Sequence, residues 1–344
     1  MYKSAKFLVG LLREPHGVIN KTSSIVVENK QYTIKHYRKN IDKKLHTIVI
    51  IGGFSVYGYK DERINDLAQS IASVGYRVLI VSIPDIETLT ISTTLVEETR
   101  ALFNYICNDT YYALDRRISI LAPSFSAGLV LAACAHESLQ NHIASICCIG
   151  TYAHIENVFE YVLGKEDADD YGRNILLKNF IPYHPKWKNN SDLKNIVKEA
   201  IYDNGLKRKI PFLPKFVMSA DTSTKCFWNQ WKSDKSFRLD FIKNLIQENV
   251  EIQQWMHVFD VTKTIHLVNA PVVFIHGTYD NVIPPSESKH LHQLRIEKQL
   301  PSHLCITEMI SHGDRVSKMY NTSEYFKIIR AFNIFFRNAK SIHP

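Results

Sequence analysis

The chain has 344 residues, of which 45% are hydrophobic and 22% charged, a composition typical of an ordinary soluble globular protein. It is long enough for one large α/β domain with an insertion, or for two domains. The formal net charge is +8, but the Lys and Arg residues are scattered, which favours a basic solvated surface over a site for nucleic acid or anionic lipid. No apolar run approaches the ~20 residues that span a bilayer, and no zinc spacing, Walker loop or Gly-x-Gly-x-x-Gly is present.

The amino-terminal residues and the cysteines bear on the cellular compartment. Residues 1–17 carry two lysines and a short apolar patch, with neither the apolar length nor the small-residue cleavage site of a Sec signal peptide. The six cysteines have no spacing typical of metal or disulfide pairs, which indicates reduced thiols. We therefore predict a cytoplasmic protein without a transmembrane segment. Signal-independent secretion, peripheral membrane contact and the oligomeric state stay open.

The first half of the chain alternates strands and helices. Two β-like runs at 24–27 and 32–35 predict an antiparallel hairpin. From residue 47, nearly continuous apolar runs predict buried strands, and apolar residues at helical spacing predict helices between them. The predicted order is strand 47–51, helix 62–74, strand 77–81, helix 92–105, strand 118–121, helix 129–133 and strand 143–150. This alternation predicts an α/β fold with a doubly wound, mostly parallel sheet.

The alternation of strands and helices stops after residue 150 and resumes near residue 270. The stretch between has no buried-strand run, and it is too long for one loop and too aromatic for disorder. We predict a helical cap at 151–268, inserted late in the sheet, and a core formed by 1–150 and 269–344. Helix-like pieces of the cap lie at 155–163, 192–202 and 237–247. The core resumes with strand 270–277, helix 286–294, strand 303–307 and helix 323–337.

The turn at 122–128 carries the first candidate for chemistry. A buried strand runs directly into a helix through small residues with a serine at the apex, which is the geometry of a nucleophile elbow. Two serines fit this position, Ser124 and Ser126. A strand that continued towards Ser126 would include Pro123, which cannot donate to the ladder of a central strand. We therefore predict that the strand ends at Leu121, that Ser124 is the nucleophile, and that the Ser126 hydroxyl serves the first helical turn.

Two further loops follow later strands at the same edge of the predicted sheet. Asp280 comes just past strand 270–277, and His312 comes just past strand 303–307. Ligands bind at the carboxyl ends of the strands in open α/β sheets, so these side chains should converge with Ser124. The order Ser, Asp, His is that of a hydrolase triad. In such a triad His312 takes the proton of Ser124 during attack, and Asp280 fixes the imidazole tautomer and stabilises the imidazolium.

The attacked carbonyl needs two preorganised donors for its developing negative charge. The backbone N–H of Phe125, immediately after the predicted nucleophile, is one candidate. The backbone N–H of Phe54, in the loop after strand 47–51, is the other. No metal site and no cofactor are predicted.

From about residue 47 onward the chain resembles the α/β-hydrolase superfamily. Gly52-Gly53-Phe54 is similar to its His-Gly-Phe oxyanion loop, with Gly52 in place of the histidine. Residues 277–284 are similar to its Gly-x-x-Asp-x-x-Val-Pro acid loop, and residues 151–268 stand where that superfamily places its variable cap. The Ala-x-Ser-x-Ser elbow at 122–126 resembles that of the acyl-transferase thioesterases that supply fatty acid to bacterial luminescence, which also have a small-residue-Gly-Phe oxyanion loop.

The triad and the resemblance together imply a serine hydrolase that cleaves a small-molecule acyl ester or thioester through an acyl-enzyme. An acyltransferase would pass the same acyl group to an alcohol or thiol instead of water. A non-catalytic α/β-hydrolase-like binding protein is the third hypothesis, supported by the departures from glycine at Ala122 and Ser126 and from histidine at Gly52. The aromatic, basic helix at 323–337 is predicted to be the last core helix rather than a membrane-surface helix.

Overall fold

The computed structural model describes residues 2–13, 15–39, 45–310 and 321–339. These residues form one sheet of eight strands in the spatial order β1-β2-β4-β3-β5-β6-β7-β8. The strands are β1 Ile19–Val27, β2 Lys30–Arg38, β3 Thr47–Ile51, β4 Arg77–Ser82, β5 Ile118–Pro123, β6 Ile143–Ile149, β7 Val272–Gly277 and β8 Ser302–Thr307.

The pairing of the strands confirms the predicted sheet. β1 and β2 form the antiparallel hairpin, and β2 pairs antiparallel with β4. From β4 to β8 every neighbouring pair is parallel. The hairpin turn consists of Glu28 and Asn29, both at positive φ (47° and 63°), the backbone that matches the twist of the flanking strands.

Helices cover both faces of this sheet. α1, α2 and α14 pack on one face, and α4, α5 and α13 pack on the other. The helices are α1 Tyr2–Leu12, α2 Glu62–Ser73, α3 Pro84–Glu87, α4 Leu95–Asn108, α5 Phe125–Cys134, α6 Ile155–Gly164, α7 Asp170–Phe180, α8 Ser191–Gly205, α9 Leu213–Ser219, α10 Thr222–Ser233, α11 Lys235–Glu248, α12 Val250–Val258, α13 Pro285–Glu297 and α14 Thr322–Asn338.

The core lies on both sides of the parallel strands because successive side chains point to opposite faces. Val49 contributes to one apolar cluster and Ile50 to the other. Cys147 and Cys148 of β6 divide in the same way, and both are buried free thiols that fill space between strand and helices. Strands buried on both faces explain why the sequence signal was a continuous apolar run.

The chain between β6 and β7 is helical, and it contains α6 to α12 together with short 3-10 turns. The predicted pieces at 155–163, 192–202 and 237–247 correspond to α6, α8 and α11. The aromatic side chains of this segment pack largely on one another, as in the contacts of Trp187 and Trp231 with phenylalanines of α10 and α11. Its treatment as a separate cap stays a prediction.

The amino-terminal helix α1 was not predicted, because its sequence showed only a short apolar patch. Phe7 of α1 is buried against Phe332 of α14, with ring centroids 4.3 Å apart, and against Phe336. These contacts make α14 a core helix, as the sequence predicted, although Phe326 on the same helix remains exposed. Among the helices of the described ranges, none has the length and apolar character needed to cross a bilayer.

Candidate active site

Ser124 lies at a turn where β5 and α5 follow one another without a loop. β5 ends at Pro123 and α5 begins at Phe125. Ser124 has φ 55° and ψ −134°, a conformation that residues with a Cβ rarely adopt. Its N–H donates to the Ile149 carbonyl of β6 (2.8 Å), and its own carbonyl accepts from Ala127 N–H (3.0 Å). The surrounding backbone therefore holds the serine at the apex of the turn at a cost of ~1–3 kcal/mol.

The prediction that β5 ends at Leu121 is wrong, because the strand continues through Pro123. Pro123 pairs with Ile149 of β6, whereas pairing with β3 stops where Ile50 lies opposite Leu121. Neighbouring residues of a strand direct their N–H groups to opposite sides, and the next N–H, that of Ser124, points to β6. An N–H at position 123 would therefore point towards β3, where the ladder has already ended. The proline removes no ladder hydrogen bond and does not distinguish the two candidate serines.

The surroundings of the two serines do distinguish them. Ser126 is fully buried in the first turn of α5, and its hydroxyl donates to the Gly52 carbonyl at 2.6 Å. It therefore links α5 to the loop after β3. The prediction that this hydroxyl serves the first helical turn is wrong. Ser124 is half-buried. Its role as the nucleophile stays a prediction.

The loop after β3, residues 52–60, lies directly against Ser124. A Cβ placed on Gly53 would stand 3.6 Å from the Ser124 Cβ, an ordinary van der Waals contact. The rings of Phe54 and Phe125 stack with centroids 4.6 Å apart and 15° between their planes. The two residues whose N–H groups are predicted as oxyanion donors are therefore neighbours, while the donor role itself stays a prediction.

Two carboxylates, one half-buried and one buried, hold the shape of this loop. Glu87 of α3 accepts the Tyr59 N–H at 2.9 Å and packs against Gly58, which has φ +53°. Burial raises the pKa of Glu87. Asp61 accepts the Ser55 hydroxyl at 2.6 Å and caps α2. Sequence reasoning missed both residues, and the one available signal was that adjacent parallel strands place the loop after β3 beside α3.

Asp280 is buried in the loop that follows β7. One carboxylate oxygen, Oδ1, accepts the N–H groups of Val282 (2.9 Å) and Ile283 (2.8 Å), which fixes the side chain. His276 is fully buried near the end of β7, with Nε2 2.9 Å from the Ile283 carbonyl and 3.5 Å from Asp280 Oδ2. Its Nδ1 contacts the Ser288 hydroxyl at 2.6 Å, so His276 connects the loop after β7 to α13.

His312, the predicted base, lies outside the described residues. The last described residues before it follow β8, at the sheet edge that also carries Ser124 and Asp280. Glu324 of α14 anchors this end of β8, because its carboxylate accepts the Thr307 hydroxyl (2.7 Å) and the Glu308 N–H (3.0 Å). A hydrogen bond from Lys327 holds the pKa of Glu324 below its usual value.

No protein-family model and no curated protein matches this chain. Solved structures do. An acylaminoacyl peptidase in complex with Z-Gly-Gly-Phe-chloromethyl ketone aligns with a TM-score of 0.55 at 13% identity, covering 95% of this chain and 42% of the peptidase. Dipeptidyl peptidase 4 of Porphyromonas gingivalis gives 0.55 at 10% identity, with 96% and 37% covered. The bacterial brefeldin A esterase, a homologue of human hormone-sensitive lipase, gives 0.55 at 11% identity, with 98% and 85% covered. The chain has the α/β-hydrolase fold.

The chain spans less than half the length of each of these two peptidases and most of the length of the esterase. At such low identity the likeness concerns the fold and not the chemistry. The resemblance of the elbow to the thioesterases of bacterial luminescence stays a prediction.

The helical segment between β6 and β7 contacts each described part of the candidate site. Phe259 packs against Phe125 with ring centroids 5.2 Å apart. The Tyr161 hydroxyl donates to the backbone carbonyl of Asp280 at 3.0 Å. At the end of α8, Gly205 lies against Val56 of the loop after β3. In the described parts of the chain, no three His, Cys, Asp or Glu side chains are grouped so that they could hold a metal ion.

Proposed function

We propose that this chain is a serine hydrolase that cleaves carboxylic esters or thioesters of acyl groups through an acyl-enzyme on Ser124. The observation that carries the proposal is the backbone of Ser124, with φ 55° and ψ −134° between β5 and α5. A strained non-glycine residue persists where the surrounding structure over-determines it, and such residues cluster at active sites. The fully buried and hydrogen-bonded hydroxyl of Ser126 supports the choice of Ser124.

In the proposed reaction, the Ser124 hydroxyl attacks the acyl carbonyl while His312 takes its proton. The negative charge that develops on the carbonyl oxygen is stabilised by the N–H groups of Phe54 and Phe125. His312 returns the proton to the leaving alcohol or thiol. Water then attacks the acyl-enzyme with His312 again as base, and Asp280 orients the imidazole throughout.

Residues 151–268 are proposed to act as a cap that selects the acyl group. Their contacts with Phe125, Asp280 and Val56 support a position over the site. Phe125 stacks on Phe54 and packs at a tilt against Phe259, and these rings make the surroundings of Ser124 apolar, which suits an acyl chain better than a charged group.

Labelling with a fluorophosphonate probe tests the nucleophile. We expect the wild-type chain to be labelled and Ser124→Ala to be unlabelled. Ser126→Ala should still be labelled, more slowly, because the lost hydrogen bond to Gly52 costs only ~1 kcal/mol and loosens the oxyanion loop. The reverse pattern would move the nucleophile to Ser126. A wild-type chain that is neither labelled nor able to turn over short or long p-nitrophenyl esters would contradict the proposed hydrolase.

Asp280→Asn tests the triad with little disturbance of the fold. The asparagine carbonyl oxygen can still accept the N–H groups of Val282 and Ile283, so folding should persist. We expect kcat for ester hydrolysis to fall by ~10³–10⁴-fold, since the amide cannot stabilise the imidazolium.

Products measured for the wild-type chain with and without an added alcohol distinguish hydrolysis from acyl transfer. Peptide amides tested beside esters distinguish esterase from peptidase activity.

A further inference from the structure

Residues 207–219, between α8 and α10, form an exposed segment that is both apolar and basic, here called the basic loop. Ile210, Phe212 and Met218 are 79%, 52% and 72% exposed. All seven residues of its short helix α9 are exposed or half-buried. The exposed lysines of the segment are Lys207, Lys209 and Lys215. Contiguous exposed apolar residues beside cations mark a surface for a partner rather than a solvated face.

The basic loop is held in shape by ion pairs at its base. Arg208 contacts Glu199 at 2.7 Å and Asp203 at 2.8 Å. The second carboxylate oxygen of Asp203 accepts the Leu213 N–H at 2.8 Å, at the start of α9. The Arg208 guanidinium lies 4.3 Å from the centre of the Phe212 ring. The apolar side chains are thus presented by an ordered backbone, while the charge of Arg208 is neutralised within the cap.

We propose that the basic loop docks on an anionic lipid bilayer. Ile210, Phe212 and Met218 would enter the interface, and the three exposed lysines would contact lipid phosphates, a charge complementarity typical of interfacial segments. A second copy of the chain is a poorer occupant. A symmetric contact would bring the lysines of both copies together and create like-charge repulsion.

The same face lies next to the candidate active site. Gly205, at the end of α8 just before the basic loop, fits so closely that a Cβ would stand 2.8 Å from Val56. Val56 belongs to the loop that contains Phe54. Docking would therefore bring that loop close to the bilayer surface, although binding itself needs no catalysis. The inference can be tested even if the proposed hydrolase activity fails.

Insertion is tested with a tryptophan placed in the basic loop. All four native tryptophans are buried, so they should report little from the lipid. We expect Phe212→Trp to shift its emission to the blue on vesicles of phosphatidylcholine with phosphatidylglycerol, and to be quenched by brominated acyl chains. The matched control is Phe326→Trp, because Phe326 is 63% exposed on α14. A response at Phe326 and not at Phe212, or at neither, overturns the proposal.

The electrostatic part is tested by sedimentation with the same vesicles. Lys209→Gln with Lys215→Gln should lower partitioning to the anionic vesicles by roughly fivefold per lysine. The control pair is Lys243→Gln with Lys289→Gln, at exposed lysines of α11 and α13, and should bind as the wild type does. Thermal unfolding verifies that every variant folds. Equal losses in both pairs, or no vesicle binding by the wild type, contradict the proposal.

Discussion

Gly128 is a residue whose small size is required by a contact far away in sequence. It lies in α5, four residues after the proposed nucleophile, and a Cβ there would stand 2.3 Å from Cζ of the Tyr152 ring. Tyr152 is buried and cannot easily move, and its ring also lies 6.1 Å from that of Phe125. The absence of a side chain at Gly128 therefore allows Tyr152, three residues beyond the end of β6, to pack against α5.

The substitution Gly128→Ala should destabilise the protein although alanine is the better helix former. Overpacking costs ~1–3 kcal/mol, and a contact of 2.3 Å with the Tyr152 ring places this site at the upper end, above the ~1 kcal/mol gained in helix propensity. Gly172→Ala is the matched control, since a Cβ on this glycine of α7 meets Val162 and Val282 at ordinary distances of 3.7 and 3.6 Å. We expect Gly172→Ala to raise the free energy of unfolding in urea. Equal stabilisation by both substitutions would contradict this account.

At the level of elements, a buried arginine connects three helices between β6 and β7. Arg238 of α11 donates from Nε to the Leu163 carbonyl at 2.9 Å, near the end of α6. It also donates to the carbonyls of Trp231 (2.9 Å) and Lys232 (3.1 Å), near the end of α10. The last carbonyls of a helix lack partners within it, so one planar guanidinium satisfies two helix ends at once. Burial lowers the pKa of Arg238.

Arg238→Met should lower the free energy of unfolding by ~2–3 kcal/mol, because two buried carbonyls and one partly buried carbonyl lose their donor at ~1 kcal/mol each. Arg238→Lys should restore only part of the loss, since a single ammonium cannot reach both helix ends as the guanidinium fork does. The control is Arg330→Met at an exposed position of α14, with an expected change near zero. Urea unfolding measures all three. A loss no larger for Arg238→Met than for Arg330→Met would show that the helix ends do not depend on this side chain.

At the scale of the whole molecule, two buried histidines link folding to pH. His36 of β2 stacks on Tyr112, and burial, assisted by the charges of Lys21, Arg77 and Arg38, lowers its pKa to about 4. Burial also lowers the pKa of His46, which contacts the Ser119 hydroxyl at 3.0 Å, to about 4. Both histidines are therefore neutral in the folded protein at pH values where the unfolded chain binds a proton.

The free energy of unfolding should fall as the pH is lowered from about 6.5 towards 4. In this window the unfolded chain takes up more protons than the folded one, so stability is fully present above pH ~6.5 and is lost on acidification. The loss should reach ~3 kcal/mol per histidine, from 2.5 pKa units at 1.36 kcal/mol each. His46→Gln should be less stable at neutral pH but should show a shallower slope. An unchanged slope would contradict the assignment.

Much of the fold was predictable from local patterns. Strands buried on both faces appear as apolar runs, such as 47–51, and helices between them show apolar residues at helical spacing. The alternation of the two allows few topologies, because parallel strands require crossover connections. The places of Ser124 and Asp280 at strand ends followed from the same patterns, whereas their catalytic roles remain predictions.

Contacts between distant residues were not predictable. Nothing near Ser126 in sequence indicated that its hydroxyl would bond to the Gly52 carbonyl, or that Glu87 would hold the loop after β3. The end of β5 was misjudged for a similar reason. Whether Pro123 interrupts a ladder depends on how far β3 extends beside it, and that is a property of the neighbouring strand.

The sequence by itself determined the sheet, the helical character of the segment between β6 and β7, and the small-residue turn that carries the candidate nucleophile. These features depend on periodicity and on residue size within short stretches. The tertiary structure decided that Ser126 is buried, that the carboxylates of Asp61 and Glu87 support the loop after β3, and that the basic loop stays exposed. Each of these depends on which surfaces meet after the chain has folded, and local sequence patterns do not specify those contacts.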